Sequence, residues 1–159
     1  MKEIKLQIGI QVKKESELTA EERQLVEMAK EATNRSYAPY SKFCVGAAAL
    51  LQSGNIVTGS NQENAAYPSG TCAERTAVFY ANSKYPDESV KTLAIAAKTG
   101  GKFLDTPIPP CGSCRQVLLE TETRFKEPMK IILYSNNDIY ILDKASDLLP
   151  LCFTDNFLG

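Results

Sequence analysis

Cys72-Ala73-Glu74 and Pro110-Cys111-Gly112-Ser113-Cys114 are the two motifs from which the rest of this sequence can be interpreted. The chain contains no histidine. Thiolates at these positions can hold one Zn²⁺ and leave its fourth coordination position open, which distinguishes a catalytic zinc site from a closed structural one. Glu74 could reach a water molecule at that open position and carry its proton. The motifs therefore predict a site in which a metal activates water.

Both motifs coincide with predicted helix starts. Apolar residues recur at helical spacing over residues 71–82 and again over residues 111–122. The free N–H groups and the dipole of a helix N-terminus stabilise a thiolate over a thiol, so we expect ionised ligands. Because three thiolates and Zn²⁺ leave a net negative charge, we expect Arg75 to offset it by hydrogen-bonding the ligand sulfurs.

Simpler interpretations of these residues exist. A Cys-x-x-Cys motif alone also fits a redox pair, or half of a closed zinc site that would have to recruit Cys44 or Cys152. Both of those cysteines stand among apolar residues and are expected in the core. Glu74 also fits a capping box with Thr71, in which it would only bond back to the helix start. Because Glu74 stands two residues after the predicted metal ligand Cys72, the catalytic interpretation is favoured for Glu74.

The rest of the chain predicts a three-layer α/β/α sandwich with a mixed, five-stranded sheet. Strands are predicted at residues 45–51, 55–59, 90–97, 130–134 and 138–142, and a further helix is predicted from a capping box at Thr19 to about Asn34. Ser53-Gly54 joins the first two strands as a hairpin. The last two strands are separated by too few residues for a crossover helix and should be antiparallel.

An extra strand is predicted at the N-terminus. Apolar residues occupy every second position there, namely Ile4, Leu6, Ile8, Ile10 and Val12. Strict alternation of this kind is typical of a half-buried strand.

Composition limits the possible partners. The 159 residues suit one domain, and 18 basic and 19 acidic residues are spread along the chain, so nucleic acid is not an expected partner. The sequence shows neither a signal peptide nor a segment long enough to cross a bilayer, so we expect a cytoplasmic protein with no membrane partner. The odd number of cysteines favours ligands and core residues over disulfides.

Further motifs make residues 20–153 resemble the zinc-dependent cytidine deaminases in their small single-domain form. In chain order the motifs are YAPYSKF (37–43) with VGAA (45–48), NQENAAY (61–67), CAERTA (72–77), PCGSCRQ (110–116) and LLP (148–150). The resemblance implies the cytidine deaminase fold and one zinc per subunit, held by Cys72, Cys111 and Cys114. It also implies a homotetramer with active sites near the subunit interfaces.

The resemblance implies the reaction as well. Cytidine and 2′-deoxycytidine would be hydrolysed to uridine and 2′-deoxyuridine with release of ammonia, a step of pyrimidine salvage. Zinc would lower the pKa of its water towards about 7, and Glu74 would take the proton. The hydroxide would then attack C4, and Glu74 would return protons to N3 and to the leaving amino group.

Substrate-binding roles follow from the same resemblance. Asn61 and Glu63 would hydrogen-bond the ribose hydroxyls, while Phe43 would pack on the pyrimidine. The backbone of Ala73 would help to read the base, and Phe153 would reach a neighbouring subunit's site. Without the resemblance, the two phenylalanines would be assigned to the core, and Asn61 and Glu63 to a polar loop.

Two departures from the family pattern shape the remaining expectations. We assign residues 1–18 to an N-terminal strand or arm at a subunit contact and residues 19–159 to the deaminase domain. Leu151-Cys152 is bulkier than the family pattern before Phe153, which weakens the assignment of that side chain.

Blasticidin S deaminase lacks the Asn-x-Glu-Asn pattern of residues 61–64. It is one alternative, and a non-catalytic zinc-binding scaffold is the other.

Overall fold

The computed structural model describes residues 1–158, which form helices on both faces of one mixed sheet. The strands are β1 (Gln11–Lys13), β2 (Phe43–Leu51), β3 (Ile56–Ser60), β4 (Val90–Thr99), β5 (Lys102–Phe103), β6 (Lys130–Leu133) and β7 (Ile139–Leu142). The helices are α1 (Ala20–Ala32), α2 (Ala73–Lys84) and α3 (Gly112–Phe125), with short 3₁₀ turns between elements. No helix within residues 1–158 combines the length and the apolar character needed to cross a membrane.

The sheet has the order β1-β7-β6-β4-β2-β3, and β5 pairs with β4. Strands β4 and β6 are parallel, whereas β2 with β3 and β6 with β7 are antiparallel. The predicted mixed sheet, its hairpin and its antiparallel last strands are therefore confirmed. The sheet has seven strands. Five are those predicted for the sheet, and the short edge strand β1 is what forms of the extra N-terminal strand. Strand β5 was not predicted, because its two residues are too few to produce a periodic signal.

Two separate cores establish the three layers. On one face, α1 packs Leu25, Val26 and Ala29 against the sheet. On the other face, α2 and α3 bury side chains that include Val78 and Leu118. Alternate residues of the central strands enter opposite cores, as the pleat of a strand requires. The predicted α/β/α arrangement is confirmed.

The capping box at the start of α1 is present. The Glu22 N–H donates to Thr19 Oγ1 at 3.1 Å, and the Thr19 N–H donates to Glu22 Oε2 at 3.1 Å. The Glu22 carboxylate also accepts hydrogen bonds from Lys13 at 3.4 Å and Lys130 at 3.3 Å. One largely buried carboxylate therefore ties α1 to β1 and β6.

A glycine in β3 lets α2 approach the sheet closely. A Cβ atom at Gly59 would lie 2.5 Å from the Ala77 nitrogen and 2.6 Å from the Ala73 oxygen. Both distances are shorter than a non-bonded contact allows, so only glycine fits. Ala73 is the first residue of α2, and the contact therefore fixes where that helix begins relative to the sheet.

The half-buried strand predicted at the N-terminus is wrong for most of its length. Only Gln11–Lys13 forms a strand, and it pairs with β7, with Val12 opposite Tyr140. The alternating apolar side chains from Ile4 to Val12 are between 40% and 76% exposed. The physical reason is that Gln11 already pairs near the end of β7, so within the described residues no strand continues alongside residues 1–10.

Candidate active site

The N-termini of α2 and α3 bring the predicted metal ligands together. Cys72 is the N-cap residue of α2, Cys111 is the N-cap residue of α3, and Cys114 lies in the first turn of α3. Their Sγ atoms all lie within 4.8 Å of one another. The structure thus assembles one cluster from residues that are far apart in sequence, at the helix ends where thiolates are stabilised.

The cluster fits a zinc ion. Tetrahedral Zn–S bonds of about 2.3 Å place two sulfurs about 3.8 Å apart. The Sγ atoms of Cys72 and Cys111 are 3.9 Å apart. Cys114 is buried while Cys111 is exposed, so the cluster is accessible from one side, as a catalytic zinc site requires.

The structure favours neither alternative for the cysteines. A redox pair of Cys111 and Cys114 would leave Cys72, which belongs to the same cluster, without a role. A closed zinc site would need a fourth cysteine. Neither Cys44 nor Cys152 belongs to the cluster. Both are partly exposed, which corrects the expectation that they belong to the core. The described chain contains five cysteines, all free thiols.

Arg75 contacts the cluster. Its Nη2 atom donates a hydrogen bond to Cys72 Sγ at 3.5 Å. Hydrogen bonding with Cys114, together with the hydrogen bond from Arg75, lowers the pKa of the Cys72 thiol to about 5 despite the opposing effect of burial. The same hydrogen bond, together with burial, raises the pKa of the Cys114 thiol, so the negative charge of the pair lies on Cys72. A cationic side chain thus lies beside the sulfur whose negative charge it would offset.

Glu74 is held away from water in the first turn of α2. Only 5% of the surface of this residue is exposed to solvent. Burial is the main reason that the pKa of Glu74 is raised, and the nearby Cys72 thiolate adds to it. A carboxyl group with a raised pKa can both accept and return a proton near neutral pH.

The capping-box alternative for Glu74 does not match the helix start. The N-cap residue is Cys72, not Thr71, and it makes no side-chain cap hydrogen bond. The Thr71 hydroxyl instead donates to the Cys72 carbonyl at 3.5 Å. Glu74 therefore lies one position too early in the helix to form the box.

A cavity of about 810 Å³ opens onto this cluster. The predicted site residues that line it are Phe43, Asn61, Glu63, Cys72, Glu74, Arg75 and Cys111. Ala73 and Phe153 are not among its lining residues. Phe153 is 56% exposed and stacks on Phe157 with 5.7 Å between ring centroids. Ala73 nevertheless lies directly between two lining residues, Cys72 and Glu74. Phe153 does not reach the cavity of its own chain.

Other lining residues were not predicted. They include Tyr40, Ser41, Asn64, Tyr67, Ile108 and Pro109. Most of them stand inside motifs that the sequence analysis quoted, next to residues with assigned roles. Their proximity in sequence to those residues was the available signal.

Glu63 and Asn61 differ in how they are held. The Glu63 carboxylate accepts hydrogen bonds from the Ser41 hydroxyl and from the N–H of Tyr40 at 2.9 Å. The hydrogen bond from Ser41 is the main reason that the pKa of Glu63 lies below its ordinary value. Asn61 Oδ1 accepts from the Val45 N–H at 2.8 Å, and its Nδ2 donates to the Phe43 carbonyl at 2.9 Å. Asn61 thus anchors the beginning of β2, beside the Phe43 ring.

Comparisons with known proteins agree with this geometry. Residues 19–126 match the family described as the cytidine and deoxycytidylate deaminase zinc-binding region. The chain is 41% identical over 133 residues to a cytidine deaminase of Halalkalibacterium halodurans, covering 82% of this chain and 92% of that protein. It is 49% identical over 96 residues to one of Sporosarcina psychrophila, covering 60% of this chain and 66% of that protein.

Solved structures show the same similarity. The crystal structure of a cytidine deaminase from Burkholderia pseudomallei superimposes with a TM-score of 0.71 at 40% identity, over 86% of this chain and 100% of that one. A cytidine deaminase structure from Mycobacterium tuberculosis gives a TM-score of 0.65 at 35% identity, over 82% of this chain and 95% of that one.

Proposed function

Because the chain belongs to the cytidine and deoxycytidylate deaminase family of zinc-binding enzymes, we propose that it hydrolyses cytidine and 2′-deoxycytidine to the uracil nucleosides and ammonia. The observation that carries this function is the position of Glu74, a buried carboxyl group beside the cysteine cluster, at a cavity large enough to admit a nucleoside. A protein that only held zinc as a scaffold would not need a buried proton carrier beside its metal ligands.

Cys72, Cys111 and Cys114 hold the zinc ion in this proposal. When bound, zinc supplies Lewis acidity that makes water nucleophilic near neutral pH. The helix N-termini and Arg75 offset the negative charge of the three thiolates, which would otherwise weaken that effect.

Glu74 carries the protons of the reaction. It takes one proton from the attacking water and delivers it to N3 of the ring, and it then takes the second proton from the hydroxyl group formed at C4 and delivers it to the departing amino group. Water and cytidine then yield uridine and ammonia with no other reactant. Burial supports this role, since it raises the pKa of Glu74 towards the range in which a carboxyl group exchanges protons easily.

Three lining residues of the cavity and the adjoining Ala73 backbone bind the nucleoside. Phe43 packs on the pyrimidine, the Ala73 backbone reads the base, and Asn61 and Glu63 meet the ribose hydroxyls. For Asn61 this requires the second lone pair of Oδ1, because the first accepts the Val45 N–H. A ligand without ribose hydroxyls, such as blasticidin S, would leave this carboxylate and amide without hydrogen-bond partners and would therefore bind less well.

Assembly and location complete the proposal. We assign the protein to a cytoplasmic homotetramer acting in pyrimidine salvage, in which Phe153 of one subunit enters a neighbour's site. The exposure of Phe153 outside its own cavity supports that arrangement.

Two measurements on the unmodified protein test the function. Metal analysis should give one zinc per chain, and incubation with cytidine should lower its ultraviolet absorbance while ammonia appears. Zinc-loaded protein that turns over neither cytidine nor 2′-deoxycytidine would refute the proposed activity.

A further inference from the structure

The N-terminal arm, defined as residues 1–10, carries apolar side chains that the rest of residues 1–158 leaves largely exposed. Ile4, Leu6, Ile8 and Ile10 alternate with polar residues and are between 40% and 76% exposed. An extended segment of this pattern carries one apolar face. Burying that apolar face against another surface would be more favourable than leaving it in water. The pattern therefore indicates a partner outside the chain.

The arm leads directly into an unpaired sheet edge. Strand β1 (Gln11–Lys13) is the last strand in the sheet order and pairs only with β7. Its other edge presents backbone N–H and C=O groups without strand partners within residues 1–158. Such an edge is a template for pairing with another strand.

The arm is complementary to itself when two copies run antiparallel. With Ile8 opposite its own counterpart, Leu6 faces Ile10 and Ile4 faces Val12. The same register places Glu3 opposite Lys13, a pair of opposite charges, at both ends. It also places Lys2 opposite Lys14, but the Lys14 ammonium already pairs with Asp138 of its own chain at 2.7 Å. Every apolar residue of the pattern then has an apolar partner across a two-fold axis.

Neighbouring registers lose this match. If one arm slides by a single residue, the two-fold axis lies between two residues instead of on one. Each residue of the apolar stripe is then opposite a residue outside that stripe. Centring the pair on Gln7 places Lys2 opposite Val12, and centring it on Gly9 places Lys14 opposite Ile4. Only the register centred on Ile8 satisfies the whole apolar stripe.

We propose that the N-terminal arm pairs antiparallel with the arm of a second copy of this chain, centred on Ile8. The sheets of the two copies then join through their β1 edges into one continuous sheet. This contact lies outside the residues of the cavity, so it does not depend on the proposed chemistry.

Cross-linking tests the register. In the proposed pairing, Ile8→Cys places two thiols directly opposite each other, whereas Leu6→Cys leaves them about 13 Å apart along the strands. The zinc-loaded variants and the parent are treated with diamide, which accepts the two electrons and two protons released as the disulfide forms. Non-reducing gels should show cross-linked dimers of Ile8→Cys at least about tenfold faster than of Leu6→Cys or the parent. Equal rates for the two variants would overturn the register.

Sedimentation velocity tests the contact itself. Ile8→Lys places like charges opposite each other and should raise the dissociation constant of this contact about tenfold or more. Gln7→Lys adds the same charge on the other face of the strand and should change it less than about threefold. The proposal would be refuted if Ile8→Lys assembled like the parent. It would also be refuted if the backbone amides of the arm stayed protected from hydrogen exchange in the fully dissociated protein.

Discussion

The Ser41 hydroxyl donates a hydrogen bond to the Glu63 carboxylate. The same oxygen accepts a hydrogen bond from the Phe43 N–H at 3.0 Å. One side chain thus connects the carboxylate proposed to bind the sugar with the residue proposed to pack on the base. Neither the motif spacing nor the resemblance assigned a role to it.

Replacing Ser41 by alanine should weaken binding of substrates that carry ribose hydroxyls. Loss of a hydrogen bond to a charged group costs about 1.5 kcal/mol, which corresponds to a KM for cytidine roughly tenfold higher, with a smaller change in kcat. Steady-state kinetics with 2′,3′-dideoxycytidine provide the control, because this substrate lacks the hydroxyls. An equal rise in KM for both substrates would contradict the role, and Ser41→Thr should restore part of the affinity.

Replacing Glu74 by glutamine should abolish turnover while preserving the metal site. The amide keeps the shape of the side chain but cannot accept and return a proton, so kcat should fall by about 10²- to 10⁴-fold or more. Ammonia release and zinc content are measured on the same samples. Glu63→Gln serves as a matched carboxylate change in the cavity and should mainly raise KM. Turnover by Glu74→Gln at the parent rate would exclude the proton-carrier role.

Replacing Arg75 by alanine should loosen zinc or lower kcat more than it destabilises the fold. The guanidinium lies 3.5 Å from the Cys72 sulfur, and groups that hydrogen-bond metal ligands typically contribute about 10- to 100-fold in affinity or activity. Competition with a chelator measures zinc affinity, and thermal unfolding measures stability. Arg75→Lys keeps the charge and should be affected less. A variant with unchanged zinc affinity and kcat would show that Arg75 has no such function.

Replacing Glu22 by glutamine should destabilise the protein in a pH-dependent manner. Burial raises the pKa of Glu22, but the Thr19 N–H, Lys13 and Lys130 outweigh it, so the folded-state pKa lies below the ordinary value for a glutamate. A depressed folded pKa stabilises the fold above the unfolded pKa, and this contribution disappears as the pH falls through the folded pKa. The variant should therefore lose about 1–2 kcal/mol at pH 7 and less at pH 3.

Urea unfolding of both proteins at the two pH values measures this difference. Glu21→Gln is the control, because Glu21 pairs with Lys91 at 3.0 Å on the surface, where both side chains are about half exposed. Its stability should change by less than about 0.5 kcal/mol at either pH. A loss in Glu22→Gln that is equally large at pH 3 would show that the ion pairs are not its cause.

The helices, the hairpin and the metal cluster could be predicted because their signals are local. The Thr19 capping box and the helical spacing after Cys72 and Cys111 act within a few turns of one chain segment. The ligand cluster followed because both helix starts carry residue types suited to the same metal. Predicting these three ligands required no knowledge of how α2 and α3 pack.

Features that depend on tertiary partners could not be predicted in the same way. Alternation at Ile4 to Val12 correctly describes one apolar face, but whether a strand covers it depends on where β7 ends. The two hydrogen bonds between the Asn61 side chain and β2, one accepted and one donated, follow from the register that pairs Gly46 with Ser60. The short strand β5 exists because it lies against β4, not because of its own two residues.

The close approach at Gly59 links the packing of the sheet to the position of the proposed catalytic groups. A Cβ atom at residue 59 would meet main-chain atoms of Ala73 and Ala77, which cannot rotate aside as a side chain can. A larger residue there must therefore shift the start of α2, and Cys72 and Glu74 would shift with it. At this position an evolving enzyme could not exchange residue size for stability without also disturbing its proposed catalytic geometry.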